Sequence, residues 1–329
     1  MLACGERLAR VVHVLAELGI ADLVADGTNS VIDLAAKSGS HTDSLYRVLR
    51  CAASVGIFRE EPQQTFQLTP LACGLLSSHP NSVLPLVKYN NLDVTRRPYN
   101  EMLHSVRTGE PVLERTFGIP FYQYLREEPE IGAFFERFMM HWSRRMVHGD
   151  FKDLTFPGHS TLVDIGGSDG YFLANLLSRQ PELRGFLIDL PNVVANAPTV
   201  LREHGVLDRA TLVPGNFFEV PLPTGCDIYL IKAVLHNWSD EMALALLRRV
   251  RRTIGDTDAR LTIIDQVLPP PNQLSHGRLL DMDMLVLFGG RERTLEEWTR
   301  MLESAGFQLN NRPGHGWALL ECLPGRFDG

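Results

Sequence analysis

The sequence has few cysteines, no long apolar run and no surplus of basic residues. Its five cysteines are scattered and none belongs to a C-x-x-C pair, so neither a zinc site nor a disulfide framework is predicted. No run of eighteen apolar residues is present, which argues against a membrane span. The formal net charge of -7 argues against a general nucleic-acid binder. Because the first residues lack the layout of a signal peptide, we expect a cytoplasmic protein with reduced thiols.

The length of 329 residues predicts about two domains. We interpret residues 1–100 as a helical winged-helix domain with a packing or dimerisation role, and residues 101–329 as an α/β domain. Residues 101–150 contain helical patterns that we expect to line a substrate pocket.

The winged-helix interpretation depends on two helices followed by a hairpin. Ser30 is a candidate cap and Gly39 a candidate stop for the first helix, and a longer helix starts at Thr42. That second helix offers only Arg47 and Arg50 as bases, and the wing carries two glutamates. Such a surface suits phosphates poorly, so we favour packing or dimerisation over DNA binding.

An apolar run, a glycine turn, a helical pattern and a second apolar run follow one another in residues 161–189. This order predicts a strand–turn–helix–strand unit. The turn, Gly166–Gly170, lacks both the dinucleotide fingerprint and the phosphate-loop ending. Asp169 would repel a pyrophosphate but suits a sulfonium with an ammonium, and Asp189 can accept both hydroxyls of a ribose. The turn therefore favours S-adenosylmethionine over NAD or ATP; the alternative is a turn that only packs the helix on the sheet.

Strands and helices alternate from residue 151 onward, which predicts a doubly wound sheet of seven strands. Ligands of such a sheet gather beyond the carboxyl ends of its strands. Chemistry-bearing residues follow five of these ends: Gly166, Asp189, Asn216 with Phe217, Lys232 with His236, and Asp265. We expect Phe217 to stack on an adenine and Asn216 to bond its edge or the ribose.

His236 is the candidate general base. Histidine titrates near neutrality, so its imidazole can take a proton from a phenol while the oxygen attacks a methyl group. A base of this kind needs an orienting carboxylate, and Asp265 and Glu292 are both candidates. The structural alternatives are a capping role for His236 and a surface ion pair between Glu292 and Arg291 or Arg293.

Five motifs occur in the order and at the spacing of a known family. They are V-D-I-G-G-S-D-G, F-L-I-D-L-P-N-V, V-P-G-N-F-F, I-K-A-V-L-H-N-W-S-D-E and G-G-R-E-R-T-L-E-E-W. Through them nearly the whole chain resembles the plant-type (caffeic-acid-type) small-molecule O-methyltransferases, which have bacterial relatives in antibiotic and pigment biosynthesis. The resemblance implies a Rossmann-like, seven-stranded class I methyltransferase domain behind the winged-helix domain. It also implies S-adenosyl-L-methionine as cofactor, S-adenosyl-L-homocysteine as product, no metal, and a homodimer formed through the N-terminal domain.

The resemblance further implies roles for individual residues. His236 would be the base, flanked by Glu292 and by Asp265, which stands where plant members carry the longer Glu. Ser143 would touch the cofactor carboxylate. The other expected cofactor contacts are Asp164, Gly166, Gly167, Asp189, Leu190, Asn216, Phe217, Phe218, Lys232 and Trp238.

Residues 134–145 are dense in Phe, Met and Trp, so they either wall an aromatic substrate pocket or belong to ordinary core. The residues expected to line a flat apolar pocket are Met139, Trp142, Met284 and Phe288. The leading hypothesis is an O-methyltransferase that acts on a phenolic or polyketide hydroxyl and has no nucleic-acid or membrane partner. N- or C-methylation or a non-methylating reaction on the same fold is a close alternative. A winged-helix regulator with a ligand-sensing domain is the alternative from another class.

Overall fold

The computed structural model describes residues 2–325. The chain divides into two compact units. The first runs up to Arg96 and includes Glu128–His141, and the second comprises Arg97–Glu127 and the chain from Trp142 onward. Within residues 2–325, no helix is both long enough and apolar enough to cross a membrane.

The first unit consists of helices and one antiparallel pair of strands. The strands are β1 (Phe58–Glu61) and β2 (Thr65–Leu68). The helices are α1 (Gly5–Glu17), α2 (Ile20–Ala25), α3 (Val31–Ser38), α4 (Thr42–Ser54), α5 (Pro70–Cys73), α6 (Leu84–Tyr89) and α7 (Asp93–Arg96), with the start of the long helix Pro129–His148.

Capping residues and buried aromatic rings explain the centre of this unit. The Ser30 side chain accepts a hydrogen bond from the N–H of Asp33 at 3.1 Å, and Gly39 ends α3 in the left-handed region at φ +65°. The hairpin buries Phe58 and Phe66 in one cluster with α3 and α4. The two helices and the hairpin expected from the sequence are therefore present, and their identification as a winged helix stays a prediction.

The second unit is built around a mostly parallel sheet. The strands are β3 (Thr161–Ile165), β4 (Arg184–Asp189), β5 (Ala210–Pro214), β6 (Ile228–Lys232), β7 (Arg260–Leu268), β8 (Arg293–Thr294), β9 (Phe307–Leu309) and β10 (Gly316–Pro324). The helices are α8 (Met102–Thr108), α9 (Leu113–Phe117), α10 (Phe121–Glu127), the end of α11 (Pro129–His148), α12 (Tyr171–Arg179), α13 (Pro191–Val194), α14 (Ala197–Glu203), α15 (Asp240–Ile254), α16 (His276–Asp283) and α17 (Leu295–Ser304).

The strand order is β5-β4-β3-β6-β7-β10-β9, and the two-residue β8 pairs with β7 off this path. Strands β3 to β7 are parallel, whereas β10 runs antiparallel to both β7 and β9. The α/β class with seven strands on the main path is confirmed. The chain winds outward from β3 to β5 and then restarts at β6, so the switch point where such sheets bind ligands lies between β3 and β6.

Apolar side chains cover both faces of this sheet. One cluster joins Val163 and Ile231 to α15 and α17, and the other joins Leu162 and Leu230 to α12. Because successive residues of a strand face opposite sides, strands covered on both faces need near-continuous apolar runs. This is why the polar Asp164 in β3 and Asp265 in β7 are unusual.

Candidate active site

The turn after β3 brings backbone close to neighbouring side chains. A Cβ added to Gly167 would lie 2.4 Å from Oδ2 of Asp164 and 2.4 Å from Cδ1 of Leu187, so only glycine fits there. Ser168 adopts left-handed backbone at φ +59°, and its N–H donates to Oδ2 of Asp189 at 2.8 Å. The turn is thereby tied to the end of β4, and it forms a backbone cradle at the switch point.

Asp189 anchors a second backbone amide. The N–H of Leu190 donates to Oδ1 at 2.7 Å. Burial raises the pKa of Asp189, and the hydrogen bonds from the amides of Leu190 and Ser168 oppose the rise. A carboxylate offers about four lone-pair sites, so Asp189 keeps capacity to accept from ligand hydroxyls.

A buried acid and a buried amine lie near the same turn. Asp164 is fully buried, and neither of its carboxyl oxygens has a hydrogen-bond partner within residues 2–325. Burial raises its pKa to about 7, although the charge of Lys232 opposes the rise. Burial lowers the pKa of Lys232, whose Nζ lies 5.4 Å from the ring centroid of Phe172. A cationic ligand at the turn would favour the ionised form of Asp164.

Three aromatic rings lie together beside the turn. The ring of Phe218 lies 4.9 Å from that of Phe217 and 4.8 Å from that of Trp238, centroid to centroid. Gly166 faces this group, since an added Cβ would lie 3.6 Å from Cε1 of Phe217. Flat apolar rings of this kind provide a surface on which a purine can stack.

The amide of Asn216 is engaged within its own turn. Its Oδ1 accepts from the N–H of Phe218 at 3.0 Å, and its Nδ2 donates to Glu219 at 2.8 Å. Asn216 therefore shapes the loop that carries the rings of Phe217 and Phe218. Its contact with an adenosine stays a prediction.

His236 is held between two acids. It lies on the 3₁₀ turn Leu235–Asn237 in the loop that follows β6, and its side chain is 8% exposed. Its Nδ1 forms a hydrogen bond of 2.8 Å with Oε1 of Glu292 and lies 3.5 Å from Oδ1 of Asp265. Both acids considered from the sequence therefore lie beside the imidazole. Because Glu292 engages Nδ1, Nε2 is the nitrogen through which the ring can act on a substrate.

Asp265 lies inside its strand rather than at its end. The sequence predicts a strand that stops at Asp265, but β7 continues to Leu268, with Ala318 of β10 opposite Asp265. The apolar residues Val267 and Leu268, which precede a proline stop, are the signal for this extension. Burial inside the ladder brings the shorter Asp side chain within reach of His236.

The pKa values of His236 and Glu292 are both shifted in this cluster. Burial lowers the pKa of His236, but the carboxylates of Asp265 and Glu292 and the carbonyl of Ala233 outweigh burial and raise it to about 9. Burial raises the pKa of Glu292, against the opposing charge of His236. At neutral pH the resting imidazole therefore carries a proton, so only the neutral fraction of His236 is able to accept one.

The same three side chains are compact enough for a metal ion, since their ligand atoms lie within 4.8 Å of one another. The nitrogen that faces the acids is already joined to Glu292 by a hydrogen bond, which is the arrangement of a base and its orienting acid. The expected absence of a metal stays a prediction.

Close backbone packing, which the sequence does not reveal, holds the His236 loop. A Cβ on Gly290 would lie 2.0 Å from the carbonyl oxygen of His236, and the N–H of Arg291 donates to that oxygen at 2.9 Å. The loop itself leaves β6 through Ala233, a non-glycine residue at φ +53°. The sequence shows the glycine pair Gly289 and Gly290, but it does not show that Gly290 packs against the backbone of His236.

Arg293 is the second support that the sequence did not reveal. The sequence suggests only a surface ion pair with Glu292, yet the Arg293 side chain is 1% exposed and pairs with Asp240 at 2.8 Å. It also donates to the carbonyls of Leu235 at 3.1 Å and Trp238 at 3.2 Å. The surface interpretation was wrong because Arg293 pairs with β7 inside the fold.

Aromatic rings extend from His236 toward α11. The centroid of Trp317 lies 5.7 Å from that of His236 and 6.2 Å from that of Trp142. Trp142 in turn lies 5.6 Å from His276. The sequence predicts Trp142 at a substrate pocket, but it gives no such indication for Trp317, which lies on the last described strand.

The other expected pocket residues divide between elements. Met284 and Phe288 belong to a π-helix, Met284–Phe288, and π-helices are frequent at functional sites. Met284 is buried, and Phe288 meets the ring of Phe121 edge-on at 5.1 Å. Met139 and Ser143 are partly buried on α11, the former in the first unit and the latter in the second. Their contacts with substrate and cofactor stay predictions.

Residues 99–308 match the model of an O-methyltransferase domain, and residues 1–78 match that of an O-methyltransferase dimerisation domain. The chain belongs to the O-methyltransferase family. This O-methyltransferase is 36% identical over 322 residues to the phenazine O-methyltransferase PhzM of Lysobacter antibioticus, covering 97% of this chain and 94% of that protein. The family resemblance and the enzyme class expected from the sequence are confirmed.

Two further relatives extend the comparison. An 8-amino-8-demethylriboflavin N,N-dimethyltransferase of Streptomyces davaonensis is 36% identical to this O-methyltransferase over 321 residues, which are 96% of this chain and 92% of that protein. The structure of NcsB1, an O-methyltransferase from neocarzinostatin biosynthesis solved with S-adenosylmethionine and 2-hydroxy-5-methyl naphthoic acid, is similar with a TM-score of 0.81 and 29% identity. That similarity covers 97% of this chain and 96% of that chain.

Proposed function

We propose that this O-methyltransferase methylates a phenolic hydroxyl of an aromatic secondary metabolite, with S-adenosyl-L-methionine as methyl donor and His236 as general base. The observation that carries the proposal is the 2.8 Å hydrogen bond between His236 and Glu292 at the ligand side of the sheet. It orients the ring so that Nε2 is available for the phenol proton. General-base help of this kind contributes about 10²–10⁴-fold in rate.

The residues near the glycine turn fit the cofactor. The backbone cradle Gly166–Gly170 would hold the methionine part, Asp189 the ribose, and Phe217 with Trp238 the adenine. The buried Asp164, which lacks a hydrogen-bond partner among the described residues, suits a ligand that brings positive charge. When bound, S-adenosyl-L-methionine supplies an electrophilic methyl group on a positively charged sulfur. The NcsB1 structure, solved with this compound, supports the assignment.

Glu292 and Asp265 would have different effects on His236. Glu292 accepts from Nδ1 and thereby fixes the tautomer whose Nε2 carries the lone pair. Asp265, 3.5 Å from the same nitrogen, adds negative potential that stabilises the imidazolium once the proton has arrived. Proximity of the phenolate to the methyl group would contribute more than the base, because binding removes the entropic cost of the encounter.

An aromatic acceptor is the substrate class that the lining favours. Trp142, Met284 and Phe288 offer flat or adaptable apolar surface. A phenazine enzyme among the relatives and the naphthoic acid in the NcsB1 structure are consistent with a fused-ring phenol.

Two measurements test this function. Calorimetric titration with S-adenosyl-L-homocysteine, with NADH as control, should show binding of the first alone. Methyl-labelled cofactor should then give labelled phenol ethers, and His236→Ala should lower kcat at least a hundredfold while the affinity for S-adenosyl-L-homocysteine changes less than twofold. If the variant keeps the parental turnover, His236 is not the base. If S-adenosyl-L-homocysteine does not bind, S-adenosyl-L-methionine is not the cofactor.

N-methylation is a second candidate, favoured by the similarity to the N,N-dimethyltransferase. An aromatic amine attacks through its own lone pair and needs no prior deprotonation. His236→Ala should therefore spare methylation of an aromatic amine and abolish that of the matching phenol. Label in the amine product alone, from the parent enzyme, would favour this candidate.

We also propose a homodimer formed through the N-terminal region. The match of residues 1–78 to a dimerisation domain supports it. Light scattering coupled to gel filtration should give twice the chain mass of 36.9 kDa, and a monomer at micromolar concentration would contradict the proposal.

A further inference from the structure

Trp317 lies beside His236, and its indole N–H has no hydrogen-bond partner among residues 2–325. The two ring planes meet at 73°, with centroids 5.7 Å apart. The Trp317 side chain is partly buried, but Nε1 is shielded from solvent and has no hydrogen-bond partner within the described part of the chain. Buried donors without partners cost free energy and are rare in native proteins, so each requires an explanation.

A second tryptophan, Trp298 on α17, shows the usual solution. The N–H of Trp298 donates to the carbonyl of Gln266 at 2.9 Å, on the side of β7 that faces α15 and α17. Trp317 lies opposite Gln266 in the β7–β10 ladder but packs on the other side, with the α12 cluster. The indole N–H of Trp298 therefore has an acceptor, whereas that of Trp317, near His236, has none among the described residues.

The remaining ring neighbour of Trp317 is apolar. Trp142 approaches at 6.2 Å with an interplanar angle of 65°. Ligand pockets typically combine apolar walls with a few placed polar groups that fix the orientation of the ligand. An indole N–H can only donate, so a ligand group that binds to it must be a hydrogen-bond acceptor.

We propose that Trp317 is a specificity-determining residue whose indole N–H donates to an acceptor on the aromatic substrate, next to the hydroxyl that His236 deprotonates. The inference rests on the proposed function. Adjacency follows from the short distance between the two rings, because one substrate must reach both groups at once. The substrate class is an aromatic hydroxyl with a carbonyl, a carboxylate or a ring nitrogen beside it.

The test compares 1-hydroxy-2-naphthoic acid, which carries an acceptor next to its hydroxyl, with 1-naphthol, which carries none. Trp317→Phe keeps an aromatic ring and removes the N–H. With methyl-labelled cofactor, this variant should raise KM for the acid about tenfold and leave KM for 1-naphthol within about twofold. Calorimetric affinity for S-adenosyl-L-homocysteine should stay unchanged. Trp142→Phe, the matched control, should affect both substrates alike.

A binding measurement separates this inference from the proposed function. In protein with ¹⁵N-labelled indoles, saturated with S-adenosyl-L-homocysteine, the Trp317 resonance is assigned by its loss in Trp317→Phe. It should move downfield with 1-hydroxy-2-naphthoic acid and not with 1-naphthol, whether or not methyl transfer occurs. Equal effects of Trp317→Phe on both compounds, no effect on either, a parent that does not bind the acid, or an unmoved resonance would each overturn the proposal. An unmoved resonance would mean that a bound water or the face of Trp142 already satisfies the N–H.

Discussion

The guanidinium of Arg293 is a buried clamp on both ends of the turn that carries His236. Its Nη2 lies 2.8 Å from Oδ1 of Asp240, and further N–H groups donate to the carbonyls of Leu235 and Trp238. The Asp240 side chain is 55% exposed and Arg293 only 1%. The importance of Arg293 therefore comes from the backbone carbonyls that it satisfies more than from the ion pair.

Arg293→Met should destabilise the protein and misplace the base. Each buried carbonyl that loses its donor costs about 1–3 kcal/mol, so the thermal midpoint should fall by several degrees and kcat by at least tenfold. Arg300→Met is the matched control, because the Arg300 side chain is 64% exposed and its pair with Glu296 lies on the surface. Parental kcat in folded Arg293→Met would show that the clamp does not position His236.

The rate of methyl transfer should rise with pH up to about 9, where the pKa of His236 lies. Below that pH the protonated imidazole predominates and cannot accept the phenol proton. A pH–kcat profile measured with saturating substrate checks this. A profile that is flat from pH 6 to 9 would contradict the assignment of His236 as the base, provided that methyl transfer is rate-limiting.

Glu292→Gln should move that profile toward acid pH. The carboxylate of Glu292 raises the pKa of His236, so its removal should lower the pKa by about 1–3 units. The maximal kcat should fall as well, since the amide no longer enforces the same tautomer. Exposed Glu296→Gln is the control, and it should leave the profile unchanged.

Asp164 should make stability depend on pH in an unusual direction. Its pKa is about 7 in the folded protein against an ordinary value of 3.8 for an aspartate, so between these values the folded state binds more protons than the unfolded state. The free energy of unfolding contributed by this group therefore falls as pH rises from about 4 to 7. Asp164→Asn should remove that loss, and its thermal midpoint relative to the parent should rise from pH 5 to pH 8.

The same substitution should weaken binding of S-adenosyl-L-methionine, because it removes a carboxylate from the proposed site of the positively charged cofactor. Exposed Asp208→Asn serves as the control for both measurements. A pH dependence of the midpoint identical to that of the parent would contradict the elevated pKa of Asp164.

Gly290→Ala should inactivate the enzyme more than it destabilises it. The added methyl would lie 2.0 Å from the carbonyl oxygen of His236, so the base loop must move, and small displacements of catalytic groups are expensive. Gly314→Ala is the control, since an added Cβ there meets nothing within 4 Å. Full kcat in Gly290→Ala would contradict the close-packing argument.

Much of the site could be predicted because the order of strands and helices along the chain determines which residues share one edge of the sheet. Residues at the ends of parallel strands share one edge of the sheet, so Asp189 and His236 are placed by the alternation of strands and helices alone. The glycines of Gly166–Gly170 are likewise recognisable as a ligand-side turn, because they follow a buried strand and precede a helix.

The supports of the site could not be predicted, because their partners are distant in sequence. Gly290 and Arg293 meet the backbone of the His236 loop more than fifty residues earlier, through the pairing of β8 with β7. Trp317 reaches the site only because β10 turns antiparallel to β7. Those contacts depend on strand order and side-chain packing, which one sequence without its fold does not specify.

The left-handed backbone at Ser168 and Ala233 has a consequence for protein engineering. Both are non-glycine residues at positive φ, at +59° and +53°, one in the glycine turn after β3 and one at the start of the His236 loop. Glycine at either position relieves about 1–2 kcal/mol of strain, offset in part by the greater freedom of the unfolded chain. A directed-evolution campaign that selects on heat resistance alone should therefore enrich Ser168→Gly and Ala233→Gly, and both changes would loosen the loops that carry the proposed cofactor site and the proposed base. Libraries meant to keep turnover should hold these two codons fixed.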